Sequence, residues 1–265
     1  MMKGLIDPRI EAIRDRFSRI RYTVIVASGK GGVGKSLIAA TLSLLIAQKK
    51  YSVGLLDLDL HGPVTPLIFD LEQAEPEESK EGLIPPIKHG VKVMSLGLLA
   101  KNRPTPIHGS NKRDAIREIL AVTRWDKLDL LVIDLPPGTG DEVLETLNLI
   151  KDFKRGAIVV TIPSQLSLKV VARLVDLLKE MKTDIIGLVE NMAYMKLDEQ
   201  ILYPMGKPRG IELAKERNIP YLGKIPLDPK VQEAIEGRDI DLLLGTEFSK
   251  TVEEVIVKPV LGMIK

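Results

Sequence analysis

Two rhythms of apolar residues alternate along the chain. One is a set of short, β-branched runs that are apolar on both faces: "YTVIVAS" (22–28), "SVGLLDLDL" (52–60), "VKVMSL" (91–96), "LDLLVIDLPPG" (128–138), "GAIVVTIP" (156–163), "DIIGLVEN" (184–191) and "IPYLGKIP" (219–226). Each is too short for a helix and lacks a polar face, which predicts strands buried on both sides. The other rhythm has helical spacing, in "SLIAATLSLLIAQKK" (36–50), "NKRDAIREILAVT" (111–123), "DEVLETLNLIK" (141–151) and "LSLKVVARLVDLLKEM" (166–181). Asp7-Pro8 reads as an N-cap and first turn, with Ile10, Ile13, Phe17 and Ile20 at helical spacing behind it, so an N-terminal helix is expected within 1–20. A C-terminal helix is expected within 246–265, covering "EFSKTVEEVIV" and breaking at Pro259. The acidic, proline-bearing stretch 70–86 reads as a surface loop. Strands alternating with helices imply a mostly parallel, doubly wound α/β sheet with right-handed crossovers. No repeat or linker divides the sequence, so one domain over 1–265 is expected.

Composition narrows the chemistry. The 265 residues include no cysteine, which excludes disulfides, thiolate catalysis and any cysteine-ligated iron–sulfur cluster held by this chain alone. A net charge of +2 offers little to nucleic acid or an anionic membrane. The longest apolar run, "LIAATLSLLIA", is about half a membrane span. Charges interrupt the N-terminal "MMKGLIDPRIEAIRDRF", which is no signal peptide, so a cytoplasmic protein is expected.

Residues 29–36 match G-x-x-x-x-G-K-[ST] between a strand and a helix. Gly29, Gly31, Gly32 and Gly34 let the backbone curl so that N–H groups face a polyphosphate, and the helix behind them presents its positive end. Lys35 would reach the β- and γ-phosphates, and the Ser36 hydroxyl would bind Mg²⁺. The expected nucleotide-binding set is Gly29, Lys30, Gly31, Gly32, Val33, Gly34, Lys35, Ser36 and Leu37. Asp134 ends an apolar strand, the place of a magnesium-holding carboxylate, and "PPGTGD" behind it suits a γ-phosphate sensor. Capping the following turn is the plainer role for that aspartate. Asp57 and Asp59 end another strand, where alternation would send both to one side, one to the metal shell and one to an attacking water. A pair of exposed loop acids is the alternative.

Taken in order, "KGGVGKS", "LLDLDLHGP", "LVIDLPPGTGD", "ENM" and "GKIPLDP" resemble the Mrp/MinD branch of the deviant Walker-A ATPases, the branch that includes the iron–sulfur cluster carriers. The resemblance covers Lys30 to Pro229 and implies a P-loop NTPase fold of the SIMIBI/MinD type, Mg-ATP hydrolysis and an ATP-bound homodimer. It makes Lys30 the signature lysine that reaches the partner's nucleotide and counts it, with Lys35 and Asp59, as catalytic. Asp59 becomes the water-orienting aspartate, and Asp57 joins Ser36 and Asp134 around magnesium. It makes Asn191 the adenine-reading asparagine and Pro226 the residue flanking the base.

The sequence also departs from the pattern. Cluster carriers of the branch place a C-x-x-C after "ENM", where this chain has "ENMAYMKLDEQILYPMG". Met192, Met195 and Met205 are soft donors there, though gap-filling is the commoner use of methionine. "RPTPIHG" (103–109) and "TRWDKLD" (123–129) look closer to the ATPase-type HypB branch of nickel–iron hydrogenase maturation, which works with a HypA-type metallochaperone. His61, His89 and His108 share no ligand spacing. The expected function is a Mg-ATP-driven switch assisting metallocentre assembly through a metallochaperone or client metalloprotein. The alternatives are a MinD- or ParA-like positioning ATPase, for which the tail lacks a basic amphipathic face, and a metabolic kinase, for which no lid is visible. The acidic 70–81 stretch is either a docking site for a basic partner or solvated charge.

Overall fold

A computed structural model describes residues 7–59, 64–101 and 112–265, without the side chains of Ala100 and Lys101. In chain order the first half holds α1 (Pro8–Ser18), β1 (Ile20–Ser28), α2 (Lys35–Gln48), β2 (Val53–Asp57), α3 (Thr65–Ile68), β3 (Glu77–Ser79), β4 (Gly82–Ile84), β5 (Ile87–Lys88), β6 (Val91–Ser95), α4 (Leu96–Lys101) and α5 (Lys112–Val122). There follow β7 (Leu128–Asp134), α6 (Asp141–Leu149), β8 (Arg155–Thr161), α7 (Gln165–Glu180), β9 (Asp184–Glu190), β10 (Met195–Leu197) and β11 (Gln200–Leu202). The chain closes with α8 (Gly210–Glu216), β12 (Tyr221–Lys224), α9 (Pro229–Glu236), α10 (Ile240–Gly245), α11 (Glu247–Val252) and α12 (Lys258–Ile264).

Eight strands form one sheet in the order β12-β9-β8-β1-β7-β2-β6-β5. All neighbours run parallel except the short edge strand β5, antiparallel to β6. The mostly parallel, doubly wound sheet expected from the apolar runs is the observed one. Alternation builds its two cores: Val24, Val26, Leu130 and Val132 face α2 and the C-terminal helices, while Ile25, Ala27, Leu131 and Ile133 face α1, α5, α6 and α7. Parallel strands end together, so Ser28, Asp57, Asp134 and Glu190 finish β1, β2, β7 and β9 at one edge.

Several local expectations need correction. α1 stops at Ser18, with Asp7 accepting from the Arg9 N–H at its start, and Ile20 already pairs with Leu128 in the sheet. The 70–86 stretch is not wholly loop: β3 and β4 form an antiparallel hairpin, closed by the Ser79 hydroxyl on the Gly82 carbonyl (2.7 Å). Its polar strand gave no apolar alternation to read. The C-terminal helix does not break at Pro259. Residues 253–257 form a π-turn, in which the Lys258 N–H bonds to the Glu253 carbonyl, and α12 continues with Pro259 in its first turn, where the missing N–H is tolerated. Past it, Val260 and Ile264 are buried.

Candidate nucleotide-binding site

The P-loop takes its shape from two glycines. Gly32 (φ 73°) and Gly34 (φ 81°) occupy the left-handed region, which a side chain disfavours. At Gly34 a Cβ would also collide with Asn191 Nδ2. The Ser28 hydroxyl donates to the Lys30 carbonyl (3.0 Å) and holds the loop's first turn. α2 then starts at Lys35 with no side chain capping it, leaving its first N–H groups directed at the loop. Together these backbones line a cleft of 340 Å³, shared with Asp59, Pro137 and Met192. Val33 contributes only backbone, its side chain being buried in the core.

Beneath the cleft lies a buried electrostatic cluster. Lys35 forms an ion pair with Asp134 Oδ1, both side chains almost fully enclosed. Asp134 Oδ2 is buried and has no hydrogen-bond partner. Burial pushes Asp134 up from the usual carboxylate range, while Lys35 and the Ser36 hydroxyl pull it back. Asp57 stands beside Asp134 in the sheet register and is itself buried. Its Oδ1 accepts the Asp59 N–H (2.9 Å) and its Oδ2 the Ser95 hydroxyl (3.3 Å). Burial, then the Asp134 charge, push Asp57 up to about 7.

The donor set suits Mg²⁺. Ser36, Asp57 and Asp134 are hard oxygen donors, and the orphaned Asp134 oxygen is a buried acceptor in need of a positive partner. Such a site supplies few protein ligands and leaves the remainder to water and phosphate.

The structure brings Lys35, Ser36, Asp57 and Asp134 together. It separates Asp57 from Asp59, since β2 ends at Asp57: Asp57 turns into the protein and Asp59 reaches the cleft wall. Strand alternation therefore does not extend to the pair as expected. The partly exposed Lys30 lies on the cleft, and its side chain makes no hydrogen bond or ion pair among the described residues. Asn191 is buried, its Nδ2 donating to the Val33 carbonyl (2.8 Å) and its Oδ1 unpartnered. Pro226 lies off the cleft, in a separate 270 Å³ pocket beside Asp228, although Ile225 bonds to the Glu190 carbonyl next to Asn191.

Met192 lines the cleft, whereas Met195 opens the β10–β11 hairpin and Met205 is exposed beyond it. Among the described residues no three His, Cys, Asp or Glu side chains gather into a metal site. His89 sits in a turn at positive φ; His61, His108 and the 103–109 motif lie outside the described residues. In the 123–129 motif Thr123 and Trp125 are buried and Arg124 pairs with Asp126, which makes it part of the scaffold. Ser95 had no motif to announce it, whereas Pro137 belongs to the "PPGTGD" turn expected to sense the γ-phosphate. Among the described residues no helix is long and apolar enough to cross a membrane.

Comparison with known proteins agrees with this architecture. Residues 19–258 match the ParA family, described as NUBPL iron-transfer P-loop NTPase. The iron-sulfur cluster carrier protein of Methanococcus maripaludis is 36% identical over 263 residues, 96% of this chain and 91% of the relative. That of Aquifex aeolicus is 38% identical over 225 residues, 83% of this chain and 61% of its own. A nucleotide-binding protein from Archaeoglobus fulgidus, solved in complex with ADP, superposes with a TM-score of 0.76 at 35% identity, covering 88% of this chain and 92% of its own. The Pyrococcus furiosus cell division ATPase MinD shares the fold, with a TM-score of 0.66 at 19% identity over 92% of this chain and 99% of its own. The match over most of the sequence, on a glycine-shaped loop backed by a buried lysine–aspartate pair, shows that the chain belongs to the ParA-type family of NUBPL iron-transfer P-loop NTPases.

Proposed function

We propose that the chain binds Mg-ATP in the P-loop cleft and hydrolyses it as a homodimeric switch that assists metallocentre assembly. The observation that carries the nucleotide reading is the pairing of Lys35 with Asp134, whose second oxygen has no partner. Lys35 exchanges the Asp134 carboxylate for the β- and γ-phosphates, which frees both Asp134 oxygens for the metal side of the site. Bound among Ser36, Asp57 and Asp134, Mg²⁺ would neutralise charge building between the β- and γ-phosphates. Asp59, on the cleft wall, orients a water toward the γ-phosphorus. Water forms the new P–O bond as the β–γ bridging bond breaks, ADP leaves with the bridging oxygen, and the water's proton passes to solvent through phosphate. Asn191 Oδ1 accepts from the base.

Lys30 is partly exposed and makes no side-chain bond within its own described chain, which supports its action across a dimer on the partner's phosphates. The metallocentre role is supported by relatives named iron-sulfur cluster carrier proteins. With no cysteine here, thiolates for a cluster must come from the metallochaperone or client protein. Titration calorimetry with ATP and ADP, then phosphate release with and without Mg²⁺, tests the core reading. Absence of both binding and magnesium-dependent turnover overturns it.

A further inference from the structure

The strand end that holds the P-loop also anchors a long surface excursion. β9 finishes at Glu190, and sheet pairing reaches one residue further, the Asn191 N–H donating to the Thr161 carbonyl (2.8 Å). Adjacent residues of an extended strand point to opposite faces, so Glu190 and Asn191 leave the same backbone in opposite directions. Asn191 grips the P-loop through the Val33 carbonyl. Glu190, fully buried, grips residues 209 and 210 instead. Its Oε1 accepts the Arg209 N–H (3.0 Å), and its Oε2 accepts the Gly210 N–H (2.9 Å) and the Tyr221 hydroxyl (3.3 Å).

Between these two grips the chain leaves the sheet and returns. Met192 takes a left-handed turn (φ 52°), Ala193 and Tyr194 pair with Ile225 and Leu227, and the β10–β11 hairpin follows. The excursion buries little of itself: Leu197 and Ile201 are each 55% exposed, and Tyr203 and Met205 are exposed as well. Its hairpin is tied by the exposed Lys196–Glu247 pair, worth little in water. Apolar packing therefore holds little of the hairpin. At its far end the buried carboxylate holds residues 209 and 210, with neutral dipoles for partners. The Tyr221 hydroxyl stays protonated as a donor, because burial and then the Glu190 charge push its pKa up.

We propose that Glu190 is the positioning residue that couples the posture of the 192–210 excursion to nucleotide occupancy of the P-loop, acting through Asn191 on the same strand end. The inference rests on the nucleotide reading above. A ligand that offers a donor to Asn191 Oδ1, or that moves the Val33 carbonyl, shifts the end of β9. Glu190 shifts with it and carries residues 209 and 210 along.

The test is hydrogen exchange by mass spectrometry on the full-length protein, with and without ADP, alongside calorimetric ADP affinity. In wild type, ADP should change exchange of the 195–210 amides by about threefold or more. Glu190→Gln puts an amide N–H₂ against a backbone or phenol donor, so at least one grip is lost. That variant should bind ADP within about twofold of wild type, yet its 195–210 amides should exchange alike with and without ADP. A purely packing role would raise exchange in both states and keep the ADP difference. Tyr221→Phe removes one donor and leaves the shape, and should cut the ADP difference by about half. If Glu190→Gln does not fold, Tyr221→Phe decides the matter by itself, an unchanged difference then overturning the proposal. Wild type that binds ADP without a change in 195–210, or Glu190→Gln that keeps the full change, also overturns it. Failure of wild type to bind any nucleotide would instead sink the reading of the cleft.

Discussion

Lys35 has two anions within its reach, the Asp134 carboxylate it pairs with and the phosphates proposed to replace it. Removing it therefore does two separable things. Lys35→Ala should weaken ATP binding by about ten- to a hundredfold, the worth of one charged hydrogen bond, as read by calorimetry. It should also lower the melting temperature of the nucleotide-free protein, because Asp134 is left buried without a cation. Asp59→Ala should lower kcat by about a hundredfold and leave ATP affinity within a few-fold, since water placement matters in the transition state. Loss of affinity in that variant would assign Asp59 to the metal or the fold instead. Asp57 brings a pH dependence. Its carboxyl holds a proton up to about 7 in the folded chain, against about 4 when unfolded. The folded state therefore binds more protons across that window, and stability from this group is greatest below pH 4 and falls as pH rises to 7. Melting in magnesium-free buffer from pH 5 to 8 should show the fall, and Asp57→Asn should flatten it. Parallel curves for the two proteins would show that Asp57 is not the group. The sequence made Lys35, Ser36 and Asp134 legible, because loop glycines and strand-end acids carry local signals. The divergence of Asp57 from Asp59 was not legible, since it depends on where β2 stops.

Elements with a local signature were the readable ones. β1, the loop and α2 were visible because an apolar run, two left-handed glycines and a second apolar run each declare themselves within a few residues. The β3–β4 and β10–β11 hairpins were not, since both are short and solvent-facing, with no alternation to betray a buried face. Asp228 shows how much one unremarked residue can organise. Its Oδ1 accepts the Lys230 N–H at the start of α9, and its Oδ2 accepts the Glu247 and Phe248 N–H groups at the start of α11. Asp228→Ala should destabilise the protein by about 2–3 kcal/mol, more than a single lost cap, measured by denaturant unfolding with unchanged m-value. A loss under about 0.5 kcal/mol would mean that the two helices are held by packing alone.

At the scale of the whole molecule the central proposal is that two chains share each reaction. A Lys30→Ala chain keeps its own Lys35 and aspartates, while a Lys35→Ala chain still offers its Lys30. Mixing the two should restore up to about half of wild-type turnover per mixed dimer, with dimers followed by light scattering during ATP hydrolysis. Full-rate turnover by a monomeric wild type would remove the trans role. The mostly parallel sheet and the family were readable across the chain, because apolar runs alternate with helical ones and the motifs fall in one order from Lys30 to Pro229; the order of the strands in the sheet was not. How the P-loop is tied to the surface excursion was not, because Glu190 and Asn191 act over distances that no spacing encodes. The π-turn at 253–257 has its own consequence for the length of the chain. Deleting one residue there would let the turn close with ordinary bonds and leave the segment beyond on its present face, because the wide turn already absorbs one extra residue. Val260 and Ile264 would stay in the core, but Pro259 would meet the carbonyl that the wide turn now holds aside. The extra residue therefore makes room for a proline inside a helix that runs on, and a deletion there will be tolerated only where Pro259 is replaced as well.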